Sequence, residues 1–314
     1  MPDPNRVPTL EEITAPVATF MREAWVPLGY TAPNTEIYPW LWLWDSCFHS
    51  LVWQALGHTD RALAELRNVF AYQDESGFVP HMGYALEPSA GEALWGRVGS
   101  SSISQPPMFG HTIASLVRDG VPVEPQIVDA ATAGLRFLLD RRPRIDGLIE
   151  VVHPWETGCD DSPRWDHFCP GGDFDLSVWR DHKSQLVMTI ERGRSGEPVS
   201  NPAFGAAPVG FSAMVAWNAR ELASVTGDGS LLAAADTVAD ALVDRWNGHL
   251  RSWVDAGPSA ETSGRIRTAD ALCALLVVED PQQRSDALAE LADDAAFGSR
   301  HGPRGVHMLS LIHI

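Results

Sequence analysis

Positive charge is what this sequence has least of. Lys and Arg number 23 against 41 Asp and Glu, a formal charge of −18 at pH 7. Nucleic acids and anionic membranes are held by clustered cations, so the balance argues against both as partners. Long apolar runs are also missing. None approaches the roughly 18 residues a membrane span requires, so no span is expected. The N-terminus, Met1-Pro2-Asp3-Pro4-Asn5-Arg6, leads into a mixed acidic segment with no apolar core. No secretory leader is expected, and a cytoplasmic location is. The four cysteines (Cys47, Cys159, Cys169 and Cys273) are scattered, with no CxxC pair to hold zinc. There is no glycine-rich loop followed by Lys, and no G-x-G-x-x-G after a strand. Acids at Asp160, Asp161, Asp166, Asp173 and Asp175 lack the spacing, glycine and closing Glu of a calcium loop. Neither a metal nor a cofactor is expected.

What is abundant is tryptophan, with 12 residues, in a chain that is 45% hydrophobic. Trp40, Trp42 and Trp44 alternate beside Asp45. A second concentration runs from His153 to Asp166, where Glu156, Asp160, Asp161 and Asp166 share fourteen residues with Trp155 and Trp165. Gly158 and Pro163 interrupt any helical period there, so the segment reads as a loop. Indole faces stack on pyranose rings, and a carboxylic acid can protonate a glycosidic oxygen. The pattern suits a small carbohydrate ligand.

Hydrophobic spacing predicts about ten helices in one domain. They cover 9–24, 45–56, 60–70, 106–118, 126–140, a stretch near 175–190, 211–226, 230–246, 268–278 and 284–292. Thr9 is the expected cap of the first and Asp60 of the third. Gly57 and Gly227-Asp228-Gly229 make tight connections between helices, an αα-hairpin pattern. Only Leu148–Val152 reads as extended. The segments 73–105 and 141–174 are too long and too aromatic for plain linkers, and they are the expected site loops.

Four blocks in order carry a family likeness. Pro39-Trp40-Leu41-Trp42-Leu43-Trp44-Asp45-Ser46-Cys47-Phe48-His49 resembles the first motif of glycoside hydrolase family 63. Within that family the bacterial mannosylglycerate and glucosylglycerate hydrolases look most similar. Gln73-Asp74-Glu75-Ser76-Gly77-Phe78-Val79-Pro80-His81 resembles their loop ending in Pro-His, and Ile103-Ser104-Gln105-Pro106-Pro107 their entry to a helix. Trp155-Glu156-Thr157-Gly158-Cys159-Asp160-Asp161-Ser162-Pro163-Arg164-Trp165-Asp166 is similar to W-E-S-G-x-D-N-S-P-R-W-D.

The resemblance implies an all-α (α/α)6 toroid with long active-site loops. It also implies an inverting glycosidase that acts on a small α-glycoside such as glucosylglycerate or mannosylglycerate and needs no cofactor. An oligosaccharide α-glucosidase or trehalase-like enzyme is the nearby alternative, and a non-catalytic carbohydrate-binding toroid the distant one. By motif match Asp160 is the general acid, with Asp161 its neighbour and competitor.

The substrate-binding expectations are Trp40, Trp42, Asp45, Gln105, Trp155, Glu156, Arg164 and Trp165. Asp45 either accepts two vicinal hydroxyls or caps the helix that follows it. Glu156 and Arg164 are expected to pair. Trp165 either walls the site or fills the core. His81 and Tyr84 lie on a loop that can cover the pocket. Arg141, Arg142 and Arg144 read as a solvated helix end. In the family the catalytic base is a glutamate after a W-R-G-x-x-W motif, which this chain does not contain, and Glu261 and Glu279 lie too early to match it. Residues 1–308 are therefore expected to form a single domain lacking its last hairpin, inactive by itself. Leu309–Ile314 resembles the translation of a transposon-end adapter, an artefactual tail.

Overall fold

The computed structural model describes residues 9–171, 174–308 and 310. Asp173, and the tail expectation except at Ser310, lie outside those residues. The first helix, α1 (Leu10–Glu23), starts at a reciprocal capping box. Thr9 Oγ1 accepts from the Glu12 N–H, and the Glu12 carboxylate accepts from the Thr9 N–H. Next come α2 (Leu43–Ala55) and α3 (Thr59–Phe70), then a single turn, α4 (Glu92–Trp95). Two further pairs follow, α5 (Phe109–Arg118) with α6 (Pro125–Arg136), and α8 (Val209–Thr226) with α9 (Gly229–Val243). Between these pairs lies α7 (Leu176–Met188). Last are the single turn α10 (Ala260–Ser263), a 3-10 helix Ala269–Leu276 and α11 (Pro281–Ala292).

These elements form two concentric layers. In the inner layer α2 packs on α5, α5 on α8, and α8 on the 3-10 helix Ala269–Leu276. In the outer layer α3 backs α2, α9 backs α8 and α11 backs the 3-10 helix, while α6 touches both α5 and α8. This is the αα-toroid arrangement. The central inner helix α8 is buried over most of its surface, as a helix covered on several sides must be. In α8 the buried set runs from Val209 through Phe211, Val215 and Ala219 to Leu222. Close inner packing has a sequence cause at Gly110, where any Cβ would collide with the backbone of Asn218.

The helix expectations hold at nearly every position, with a few corrections. The segment expected over 268–278 is a 3-10 helix, and the last turn of the 126–140 segment is a π turn, Phe137–Arg141. Asp60 does not cap α3, because the helix begins one residue earlier, at Thr59. Asp45 does not cap α2, because the helix starts two residues earlier, at Leu43, with Trp42 in the N-cap position. Extended structure is richer than expected. Among the described residues five two-stranded antiparallel ribbons punctuate the loops, and the expected stretch supplies one strand of one of them, Leu148–Ile149 against Arg144–Ile145. The ribbon that matters most pairs Leu41 with Gly83 and Trp42 with Met82. It joins the first motif to the 73–105 loop at the mouth of the barrel. Among the described residues no helix is long and apolar enough to cross a membrane.

Candidate active site

A cavity of about 550 Å³ opens where the N-terminus of α2 meets the long loops. That is within the usual range for small-ligand sites. Its walls are the rings of Tyr38, Trp42, Trp44, Trp95 and Trp155, and two carboxylates, Asp45 and Asp160, face it with Gln105.

The first turn of α2 supplies one side. Its free N–H groups are satisfied from a distance: Leu43 N–H donates to the His81 carbonyl at 2.9 Å, and Trp44 N–H to Gln105 Oε1 at 3.2 Å. Gln105 thus caps the helix with its oxygen, while its amide NH₂ is a donor group. Asp45 stands in the same turn. Burial pushes its pKa up to about 6, against opposing hydrogen bonds from its own backbone and the Trp44 side chain.

The 153–166 loop supplies the other side. It comprises two 3-10 turns, Pro154–Thr157 and Pro163–Phe168, hinged at Gly158. His153 starts it: buried and neutral, with its pKa lowered to about 3 by desolvation, it accepts the Trp155 N–H and bonds the Lys183 carbonyl at 2.8 Å. Asp160 follows the hinge. Its Oδ2 lies 2.6 Å from Lys183 Nζ, and the same ammonium lies 2.6 Å from Asp161 Oδ1. Asp160 lines the cavity, whereas Asp161 is not among its lining residues.

Of the expected site residues, the fold brings Trp42, Asp45, Gln105, Trp155 and Asp160 to one cavity. The other four sit elsewhere. Trp40 packs edge-on against Tyr84, with ring centroids 5.2 Å apart. Glu156 is fully buried, and its carboxylate accepts from Ser104 N–H (2.9 Å), Val152 N–H (2.8 Å) and the Arg142 guanidinium. The expected Glu156–Arg164 pair does not form. Arg164, equally buried, reaches Asp255 at 3.1 Å and contacts Asp270. The αL turn at Gly158 sends the two halves of the motif to different parts of the barrel. Arg142 is accordingly no solvated helix end: it is 4% exposed and serves Glu156. Trp165 is core, with no exposed surface, its indole N–H donating to the Cys159 carbonyl at 2.8 Å.

His81 lines the cavity as a buried support. Its Nδ1 is 2.6 Å from Ser101 Oγ, desolvation lowers its pKa to about 3, and Trp42 and Trp95 pack edge-on against it. Tyr84 is buried behind the wall, accepting the Trp95 indole N–H at 2.7 Å. Sequence reasoning missed Tyr38 and Trp95 as wall residues. It missed Lys183 altogether, although the sequence signal was plain: it is the only lysine among the 23 basic residues. Among the described residues no group of three or more His, Cys, Asp or Glu could hold a metal ion.

Comparison with known proteins agrees with this architecture. The solved mannosylglycerate hydrolase of glycoside hydrolase family 63 from Thermus thermophilus, in complex with Tris and D-glycerate, superposes with a TM-score of 0.74. The match is 23% identical and covers 90% of this chain and 78% of that one. Neutral trehalase Nth1 from Saccharomyces cerevisiae shares the fold more loosely, with a TM-score of 0.54 and 14% identity over 90% of this chain and 58% of that one. In sequence, a mannosylglycerate hydrolase of Thermus thermophilus is 34% identical over 159 residues, 44% of this chain and 37% of that protein. The glucosylglycerate hydrolase of Mycolicibacterium hassiacum is 28% identical over 190 residues, 52% of this chain and 42% of that protein. The alignments thus span well under half of these relatives' length.

The model of the mannosylglycerate hydrolase MGH1-like glycoside hydrolase domain matches residues 38–310. That match runs from Tyr38 in the cavity wall to Ser310, past α11, and it means that this chain belongs to the MGH1-like glycoside hydrolases.

Proposed function

We propose that the chain is an inverting glycoside hydrolase of a small α-glycoside, glucosylglycerate or mannosylglycerate, with Asp160 as the proton donor. The observation that carries this reading is the position of Asp160 on the wall of an indole-lined cavity, together with Asp45 and Gln105. The rings stack on the sugar. Asp45 accepts hydrogen bonds from two vicinal hydroxyls, and the Gln105 amide donates to a third oxygen. The proton of Asp160 passes to the glycosidic oxygen as the bond from that oxygen to the anomeric carbon breaks. The bond's electron pair leaves with the aglycone. A water molecule attacks the anomeric carbon from the opposite face and gives its proton to a carboxylate base, in such enzymes roughly 6.5–9.5 Å from the acid. Glu261, exposed and paired with Arg265, and Glu279, beside Arg220 and Asp236, are not on the cavity lining, and neither is assigned as that base.

The test is turnover of α-glucosylglycerate and α-mannosylglycerate by wild type and D160N, each with and without sodium azide. Azide attacks the anomeric carbon without a base, so it reads the proton-donor half of the reaction separately. With no base assigned, wild type is expected to turn over substrate with azide and not without it, and the azide-dependent rate to fall about 10²–10⁴-fold in D160N, with product of inverted configuration. Equal rates in the two proteins would move the acid elsewhere, to Asp161 first. Sugar binding with no turnover, even with azide, would favour the non-catalytic carbohydrate-binding toroid.

A further inference from the structure

Among the described residues, the Lys183 ammonium is the cation that bridges the two adjacent acids of the loop at the cavity. It is also the only lysine in a sequence whose other 22 basic residues are arginines. Its side chain is 5% exposed, yet its Nζ stands 2.6 Å from both Asp160 and Asp161. The surroundings suit a point charge. The rings of Trp155 and Trp179 lie 5.9 and 5.8 Å from Nζ and close the remaining sides. A planar guanidinium fork spreads its donors and does not concentrate them on one atom between two carboxylates.

The rest of α7 holds the same loop. Trp179 Nε1–H donates to the Asp160 carbonyl at 3.1 Å, and the Lys183 carbonyl is 2.8 Å from His153 Nε2. One helix therefore grips both ends of the 153–161 segment, through its backbone and through its side chains.

We propose that Lys183 is a positioning residue that points the Asp160 carboxylate at the cavity and sets the charge of that wall through an ammonium shared with Asp161. This rests on reading the cavity as a sugar site. As the proton donor Asp160 carries its proton, so the ammonium stands against the one carboxylate charge of Asp161. The wall can therefore face a neutral sugar without strongly favouring a cationic one. Removing the ammonium leaves the Asp161 charge unbalanced. Neutralising Asp161 leaves the ammonium unbalanced.

The experiment measures binding of two probes by calorimetry: glucose, which is neutral, and isofagomine, a piperidine sugar mimic whose amine is protonated at neutral pH. The quantity read is the ratio of their dissociation constants in wild type, K183M, K183R and D161N. K183M is expected to shift the ratio about tenfold or more toward the cation. K183R is expected to weaken both ligands but hold the ratio within about threefold, because the charge stays. D161N is expected to shift the ratio several-fold the other way; it alters a half-exposed side chain, so it decides the matter if K183M does not fold. Parallel weakening of both probes in K183M, or an unmoved ratio in D161N, would reduce Lys183 to a structural residue and overturn the proposal. A wild-type chain that binds neither probe overturns it as well. Failure of the catalytic reading looks different: D160N turns over substrate like wild type while the ratios still move as stated.

Discussion

The indole of Trp44 fills the space that a side chain on Gly158 would need. A Cβ built on Gly158 would stand 2.7 Å from Trp44 Cζ2 and closer still to Cη2, and the residue's φ is +69°. The contact joins the first turn of α2 to the hinge of the 153–166 loop, the two sides of the cavity.

Gly158→Ala is expected to destabilise the fold by roughly 1–3 kcal/mol, from the left-handed backbone and the overpacked contact together. Trp44 also lines the cavity, so glucose binding should weaken in the same variant. Thermal melts and calorimetry check both, and an unchanged melting temperature would refute the account of the contact.

The buried Glu156–Arg142 pair ties Ser104, Val152 and the 141–144 turn together, and Ser104 carries its neighbour Gln105 to the cavity. Removing one partner strands the other charge in the core, a loss of about 3–5 kcal/mol. E156Q and R142M should each fall in this range by denaturant unfolding. The double variant should cost clearly less than the sum, and simple additivity would argue against the coupling.

Glu65 is a carboxyl with no exposed surface, whose Oε1 accepts the Thr31 N–H at 2.8 Å. Burial pushes its pKa from 4.5 to about 8. The folded state therefore keeps a proton that the unfolded chain releases. Its contribution to stability is full below about pH 4.5 and is lost progressively as pH rises to about 8. Wild type should lose on the order of a few kcal/mol relative to E65Q between pH 5 and 9. Unfolding curves of the two proteins that keep a constant separation across that range would contradict this.

Asp45 accepts sugar hydroxyls best when ionised, and burial pushes its pKa up to about 6. Glucose affinity should therefore rise several-fold between pH 5 and 7 in wild type, as the carboxylate forms. In D45N it should be weaker and flat over the same interval. A flat profile in wild type would remove Asp45 from the binding role.

Much of the fold was legible beforehand because helices declare themselves locally. The apolar period in α2, α3, α8 and α9, the Thr9-x-x-Glu12 box and the Gly227-Asp228 connection all act within a few residues. The ribbons were not legible, since strands as short as Leu41–Trp42 and Met82–Gly83 leave no alternation to read and are formed by partners about 40 residues apart. Motif resemblance named Trp42, Asp45, Gln105, Trp155 and Asp160, and these five line one cavity. Trp40 and Trp165 lie off that cavity, and the sequence left Trp165 open between wall and core because an indole serves either as readily.

The sequence by itself determined the helical layers and which loops carry the acids and indoles, because propensity, period and turn chemistry are local. Only the tertiary structure decided the partners. Glu156 and Arg164 are close neighbours in one motif, yet they bond Arg142 and Asp255, 14 and 91 residues away from them. Lys183 reaches Asp160 from 23 residues away. Buried charges must be paired wherever the packed elements bring opposite charge within reach. Which charges meet is a property of how α7, α8 and the loops stack, and no local pattern encodes it.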